Sequence, residues 1–338
     1  MDIKTIKENA REKMKGFCNL CKICDGVWCS GKVPGMGGTG TGESFKNSYL
    51  KLKNIKVVMR TIHDATDPIL TTNLWGKELS FSCLGAPITG TKFNMGGGVT
   101  EEEYCLDVIG GAIDAGTIGM IGDTGDASCY LAGLEAIKAN GGMGVAVIKP
   151  RSNEEIIKRI RLAEEAGAVA VGVDVDGAGL ITMKLFGQPV GPKSFEEIKE
   201  LAASTKLPFM IKGILSVDEA ELCVKAGVDT IVVSNHGGRV LNETLAPCDV
   251  VEDIVKAVGD KINVLVDGSV REGVDILKYM ALGAKGVLVG RPLTWGSIGG
   301  RQEGVKTIFD TLKGQLTQAM ILTGVKDINK VDKKIISK

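Results

Sequence analysis

From about Leu79 onward the chain repeats one unit: a short apolar or β-branched run, then a helical stretch rich in Glu, Lys and Ala. The runs are continuous rather than alternating, the pattern of strands buried on both faces. They fall near Ser80–Ala86, Thr117–Gly122, Gly144–Ile148, Val169–Val175, Pro208–Lys212, Thr230–Ser234, Asn263–Asp267 and Gly286–Gly290, eight in all. Helix starts are marked by Thr100-Glu101-Glu102-Glu103, by Ser152-Asn153-Glu154-Glu155 and by a capping box at Ser216-Val217-Asp218-Glu219. Several helices end at Ala-Gly (Ala115-Gly116, Ala166-Gly167, Ala226-Gly227), where glycine permits the left-handed turn into the next strand. Eight such units close into an α/β (β/α)8 TIM barrel, more units than a doubly wound sheet needs. The expected organisation is an N-terminal extension over 1–78, the barrel over 79–325 and a charged peripheral tail over 326–338.

Composition narrows the function. Lys+Arg and Asp+Glu both total 41, so no net field draws the chain to nucleic acid or to a membrane, and a small-molecule ligand is the default. Only 4% of residues are aromatic while 46 are glycine, which suits many tight strand-to-helix turns rather than a β-sandwich. The opening Met1-Asp2-Ile3-Lys4-Thr5-Ile6-Lys7-Glu8 has no apolar signal segment, so a cytoplasmic location is expected. A leader helix is expected within residues 1–16, with Ile3, Ile6 and Met14 on one face.

In a reducing compartment nine cysteines are not a disulfide framework. Cys83, Cys105, Cys129, Cys223 and Cys248 are scattered and read as small core fillers. Cys18, Cys21, Cys24 and Cys29 instead put four sulfurs in reach of one centre. Thiolates at this density suit an iron–sulfur cluster, favoured over zinc, which accepts the same ligands. The glycine-rich Val33–Gly42 stretch neither follows a strand nor carries a phosphate-binding lysine; it is no P-loop and reads equally as a loop covering a site.

The chemistry-bearing residues gather at expected strand ends. Val233-Ser234-Asn235-His236-Gly237-Gly238-Arg239 holds one of two histidines, with a cation three residues on; Pro208–Gly213 ends in Lys212-Gly213. The other histidine, His63, has no partner pattern and reads as structural. Val266-Asp267-Gly268-Ser269-Val270-Arg271 and Val289-Gly290-Arg291-Pro292 end the last two strands, where barrels commonly bind phosphate, so a phosphorylated ligand or cofactor is implied.

Together, Ser234–Arg239, Lys212-Gly213, Asp267–Arg271 and Gly290-Arg291-Pro292 closely resemble the FMN-dependent 2-hydroxy-acid oxidase and dehydrogenase family, which includes glycolate oxidase, lactate oxidase and mandelate dehydrogenase. The likeness is strong from about Phe209 to Trp295 and fades through the first half, where Ala86-Pro87-Ile88-Thr89 still looks like the family's first flavin-contacting strand end. The resemblance implies FMN, with Arg271, Gly290 and Arg291 at its phosphate and Asp267 and Gly268 at its ribityl chain; Pro87, Ile88, Thr89, Ser234 and Ser269 also belong to the cofactor site. By the same likeness His236 is the base, Arg239 the fork for a substrate carboxylate, Lys212 the charge that favours reduced flavin, and Asp174, chosen over Asp176, the carboxylate that orients the histidine. This sequence departs from the family around Val145-Ala146-Val147, which lacks the glutamine and tyrosine. It departs again at Gly177–Ile181, where a second arginine is missing, and Pro34–Gly42 holds no tyrosine.

The implied function is oxidation of an (S)-2-hydroxy acid, or a related hydroxy compound, to the 2-keto product by a homo-oligomeric enzyme. The clustered cysteines suggest that electrons leave through an iron–sulfur centre to an electron-transfer acceptor. Two other functions fit the same residues: a flavin-dependent reductase or isomerase acting on an isopentenyl-diphosphate-like substrate, and a flavin-free barrel binding a phosphorylated metabolite.

Overall fold

Val, Ile and Leu crowd the expected runs, and in the computed structural model, which describes residues 1–337, eight of them pair as parallel strands. These are β1 (Cys83–Gly85), β2 (Gly119–Gly122), β3 (Gly144–Ile148), β4 (Ala170–Asp174), β5 (Phe209–Ile214), β6 (Thr230–Val233), β7 (Asn263–Val266) and β8 (Gly286–Val289). Each pairs with its successor from β2 onward, β8 returns to β1, and the Gly85 N–H donates to the Ile118 carbonyl at 2.9 Å across the last seam. The fold is a TIM barrel. Its interior is filled by Leu84, Met120, Val147, Met210, Val232 and Leu265, all essentially without solvent exposure, each contributing about 1.5–3 kcal/mol by burial.

The first 78 residues form more structure than their sequence announces. The leader helix α1 (Ile3–Lys13) is capped by Asp2, whose carboxylate accepts from the Thr5 N–H at 2.9 Å. Its buried Ile6 and Ala10 lie against the long last helix, Arg291–Thr323, where Gly299 leaves no room for a Cβ: one would stand 2.0 Å from the Ile6 carbonyl oxygen. A second helix, α2 (Glu43–Asn54), and an antiparallel hairpin, Thr72–Leu74 with Lys77–Leu79, were not expected. The hairpin closes the N-terminal end of the barrel. Leu74 and Leu79 join the interior cluster, and the Trp75 indole N–H donates to Asp229 Oδ1 at 3.0 Å and Thr230 Oγ1 at 2.9 Å, at the foot of β6.

Two local expectations need correction. Ser216 caps its helix by accepting from the Glu219 N–H, but the reciprocal half of the box is absent; full boxes stand at Thr100/Glu103 and Ser194/Glu197. The tail exposes Lys333 and Lys334, yet it is not wholly peripheral: Ile335 and Ile336 are buried, and Ile336–Ser337 pairs with Lys56–Val57. Among the described residues, no helix is long and apolar enough to cross a membrane.

Candidate active site at the strand ends

A cleft opens at the C-terminal ends of the strands, the face where barrels of this kind place their ligands. Pro87, Ile88 and Thr89 line it beyond β1, Lys212 from β5, and His236 and Arg239 after β6; Asp267–Arg271 and Gly290-Arg291 close the far end. The strand-end residues expected from the sequence therefore share one cavity, with Ser234 and Asp174 bonded to its wall. His63 is exposed and bonded within its own turn, far from this set in role.

Local backbone geometry aims the catalytic candidates. After β6 the chain turns through three successive left-handed residues, His236 (φ 58°), Gly237 and Gly238, and the His236 N–H is caught by Ser234 Oγ at 3.0 Å. A histidine held there is a strained outlier of the kind that collects at functional sites. Gly238 is required by a close approach, since a Cβ would stand 2.5 Å from the Phe45 nitrogen of α2. In β5 a register shift falls between Lys212 and Ile214, and Gly213 takes φ 107° there; a Cβ on it would meet the Asp176 Cβ at 2.5 Å. The bulge thus makes room for Asp176.

That room changes the assignment of the histidine's partner. His236 Nδ1 is 2.8 Å from Asp176 Oδ1 and 3.9 Å from Asp174 Oδ2, so Asp176, not the expected Asp174, orients the ring. Asp174 ends β4 and its Oδ2 is bonded to Lys149 Nζ; the strand then gives way to a 3-10 turn, Val175–Gly179, that swings Asp176 toward the imidazole. Lys149 escaped the sequence analysis because its partner is 25 residues away, and only the β3–β4 pairing reveals it.

The electrostatics follow from burial and these pairs. Burial works against charge on His236 and, aided by Lys149 and Lys212, outweighs Asp176, holding its pKa below the ordinary histidine value. Burial likewise opposes the Asp176 carboxylate, but His236 and Lys212 overcome it and hold its pKa below the ordinary aspartate value. Lys212 is also buried, yet Asp176, Asp267 and Asp174 keep it above the ordinary lysine value; its Nζ donates to Ser234 Oγ at 2.8 Å and lies 3.4 Å from Asp267 Oδ2. With Nδ1 donating to a carboxylate, the neutral imidazole leaves Nε2 as a proton acceptor. Asp174, Asp176 and His236 bring ligand atoms within 4.8 Å of one another, but Lys149 and Lys212 already neutralise those carboxylates, so a cation would compete with two ammonium groups.

Arg239 is braced by the Gly35 carbonyl and by Asn94 Oδ1 at 3.0 Å; burial and Arg291 lower its pKa to about 10, which leaves it charged at neutral pH. The glycine-rich loop covers this side of the cleft: Met36 lines it, its carbonyl accepts from Arg291 Nε at 2.8 Å, and the Thr39 N–H donates to the Gly238 carbonyl at 2.8 Å. Arg291 also stacks on Phe45, 3.8 Å from the ring centroid.

FMN suits this set. Arg271 Nε and Asp267 Oδ1 are buried without a hydrogen-bond partner among the described residues, a donor and an acceptor that a phosphorylated polyol would satisfy. Gly290, where a Cβ would stand 2.9 Å from Ile88 Cδ1, keeps that end open. Cys18, Cys21, Cys24 and Cys29 lie beside it as free thiols, with Arg271 Nη2 donating to Cys24 Sγ at 3.3 Å. Among the described residues no three of their sulfurs lie within 4.8 Å of one another; the group that does is the Asp174, Asp176, His236 trio.

Known proteins share both the sequence and this architecture. The family model for FMN-dependent dehydrogenases matches residues 182–338. Mouse 2-hydroxyacid oxidase 1 is 30% identical over 89% of this chain and 90% of its own length, and 4-hydroxymandelate oxidase from Amycolatopsis orientalis is 31% identical over 86% and 89%. The crystal structure of mandelate oxidase with benzoyl-formic acid superposes with a TM-score of 0.81 at 28% identity, covering 99% of this chain and 97% of that one. With full-length similarity of this kind, a matching barrel and a cleft that suits FMN, the chain belongs to the FMN-dependent 2-hydroxy-acid oxidase family, oxidoreductases that act on CH–OH groups.

Proposed function

We propose that the enzyme oxidises a 2-hydroxy acid to its 2-keto acid, with His236 as base, Asp176 as its orienting carboxylate, Arg239 as the carboxylate-binding residue and Lys212 as the cation beside the reacting centre. The observation that carries this reading is the neutral, Asp176-bonded His236 sharing a cleft with Arg239. FMN, when bound, supplies the acceptor for the two electrons that leave the substrate. Every other step belongs to side chains. Arg239 fixes the carboxylate through its planar fork. His236 Nε2 takes a proton from the substrate, and the Asp176 carboxylate stabilises the imidazolium that results. Lys212, charged and buried, favours negative charge developing next to it. Arg271 and Arg291 would hold the cofactor phosphate, and Pro87, Ile88 and Thr89 would face its ring.

Lys149 adds a cation on the wall where the resemblance leads one to miss a second arginine, so the substrate-facing charge comes from one arginine and one lysine already tied to Asp174. The relatives' names support hydroxy-acid substrates with either small or aromatic side chains. Turnover with an artificial electron acceptor across 2-hydroxy acids of graded side-chain size tests the reading. Formation of the 2-keto acid supports it; no keto product from any of them, in protein that retains FMN, overturns it.

A further inference from the structure

The four clustered cysteines take no part in the chemistry proposed above, yet polar N–H groups and cations gather around them. Two of the four sulfurs accept from a side-chain N–H. Asn19 Nδ2 donates to Cys21 Sγ at 3.7 Å and Arg271 Nη2 to Cys24 Sγ at 3.3 Å. The Trp295 indole lies near Cys18, and its buried Nε1 has no hydrogen-bond partner among the described residues. Arg291 is within electrostatic reach of Cys18, Cys24 and Cys29, and Arg239 of Cys29. N–H donors to sulfur are a standard part of cluster sites. Four thiolates at this density repel one another unless a cationic centre lies between them.

The loop buries few apolar side chains of its own. Between Cys18 and Cys29 it contains only turns and bends, it exposes Ile23, Val27 and Trp28, and of its apolar side chains Leu20 is the one that is fully buried. The sulfurs are not gathered as tightly as a single zinc holds its ligands. A single tetrahedral zinc, with Zn–S near 2.3 Å, draws its sulfurs to about 3.8 Å from one another. No three of these sulfurs come within 4.8 Å of one another, yet Cys18 feels Cys24 and Cys29, and Cys29 feels Cys21 and Cys24. A polynuclear iron cluster spreads its thiolates over a wider polyhedron, which matches that looser set.

We propose that Cys18, Cys21, Cys24 and Cys29 ligate an iron–sulfur cluster seated against Arg271 and Arg291 at the edge of the cleft. The two arginines then serve both the cluster thiolates and the cofactor phosphate. On the oxidase reading, the cluster would pass the two electrons from each substrate, one at a time, to a one-electron acceptor protein; the binding claim itself does not rest on that reading.

The test uses the full chain purified anaerobically from iron-replete cells, with iron, acid-labile sulfide, zinc and flavin each measured on the same sample. The expected result is iron and sulfide in equal amounts, about two to four of each per chain, with an electron paramagnetic resonance signal after dithionite reduction. Cys21→Ser and Cys24→Ser should lose more than nine-tenths of the iron, whereas Cys223→Ala, in a helix remote from the loop, should keep it. Stoichiometric zinc without sulfide, or protein holding neither metal, overturns the proposal. The wild-type analysis decides even if a variant fails to fold, and the flavin content separates failure of the cluster from failure of the FMN assignment.

Discussion

His236 Nδ1 lies 2.8 Å from Asp176 Oδ1, although the two residues follow different strands, β6 and β4. The nearer carboxylate in strand register, Asp174, is instead bonded to Lys149. One carboxylate orients the imidazole and the other neutralises a lysine, and the two substitutions should behave differently.

Asp176→Asn removes the charge that stabilises the imidazolium and should lower kcat by about 10²–10⁴ with KM changed only a few-fold. Asp174→Asn should cost much less in kcat. Steady-state kinetics on the two variants checks the ranking, and a reversed order would return the orienting role to Asp174.

The pH dependence follows from the lowered pKa of His236. The base is the neutral ring, so kcat/KM should be constant above the ordinary histidine value of about 6.5 and fall only as pH drops through the lower, folded value. In the window between those two values the unfolded chain binds the extra proton, so stability contributed by this group rises with pH there. A profile whose acidic limb lies above 6.5 would contradict the assignment.

Lys149→Met takes the hydrogen-bonded cation from the buried Asp174 carboxylate and should destabilise the fold by about 3–5 kcal/mol. Adding Asp174→Leu should recover most of that loss, because the pair then becomes apolar on both sides. Denaturant unfolding of the two single variants and the double variant closes the cycle; additive losses would mean that the two groups are not coupled.

Arg239→Lys keeps the charge but loses the planar fork. Losing one charge-assisted hydrogen bond, about 1.5–3 kcal/mol, should raise KM for the hydroxy acid about 10- to 150-fold. Substrate titration measures it, and an unchanged KM would remove Arg239 from the substrate.

The barrel was legible because each strand is a short, continuous apolar run, and Lys212, His236, Asp267 and Arg291 lie at or just past the ends of such runs. Asp176 was not, because which of two neighbouring aspartates reaches the ring depends on a 3-10 turn and on the bulge at Gly213, neither of which has a period in sequence. Lys149 was hidden for the same reason, its meaning lying in a cross-strand partner. The hairpin at Thr72–Leu79 and the buried Ile335 and Ile336 gain their stability from tertiary contacts alone, so an isolated reading of those segments sees only polar connection or charged tail.

Anaerobic mixing of the purified, FMN-loaded enzyme with a panel of 2-hydroxy acids is the most direct test of the account. It predicts that at least one acid bleaches the flavin absorbance with release of one equivalent of keto acid, and that Asp176→Asn slows the bleaching by about 10²-fold or more. A flavin that stays oxidised with every acid, or bleaches equally fast in the Asp176 variant, would contradict it.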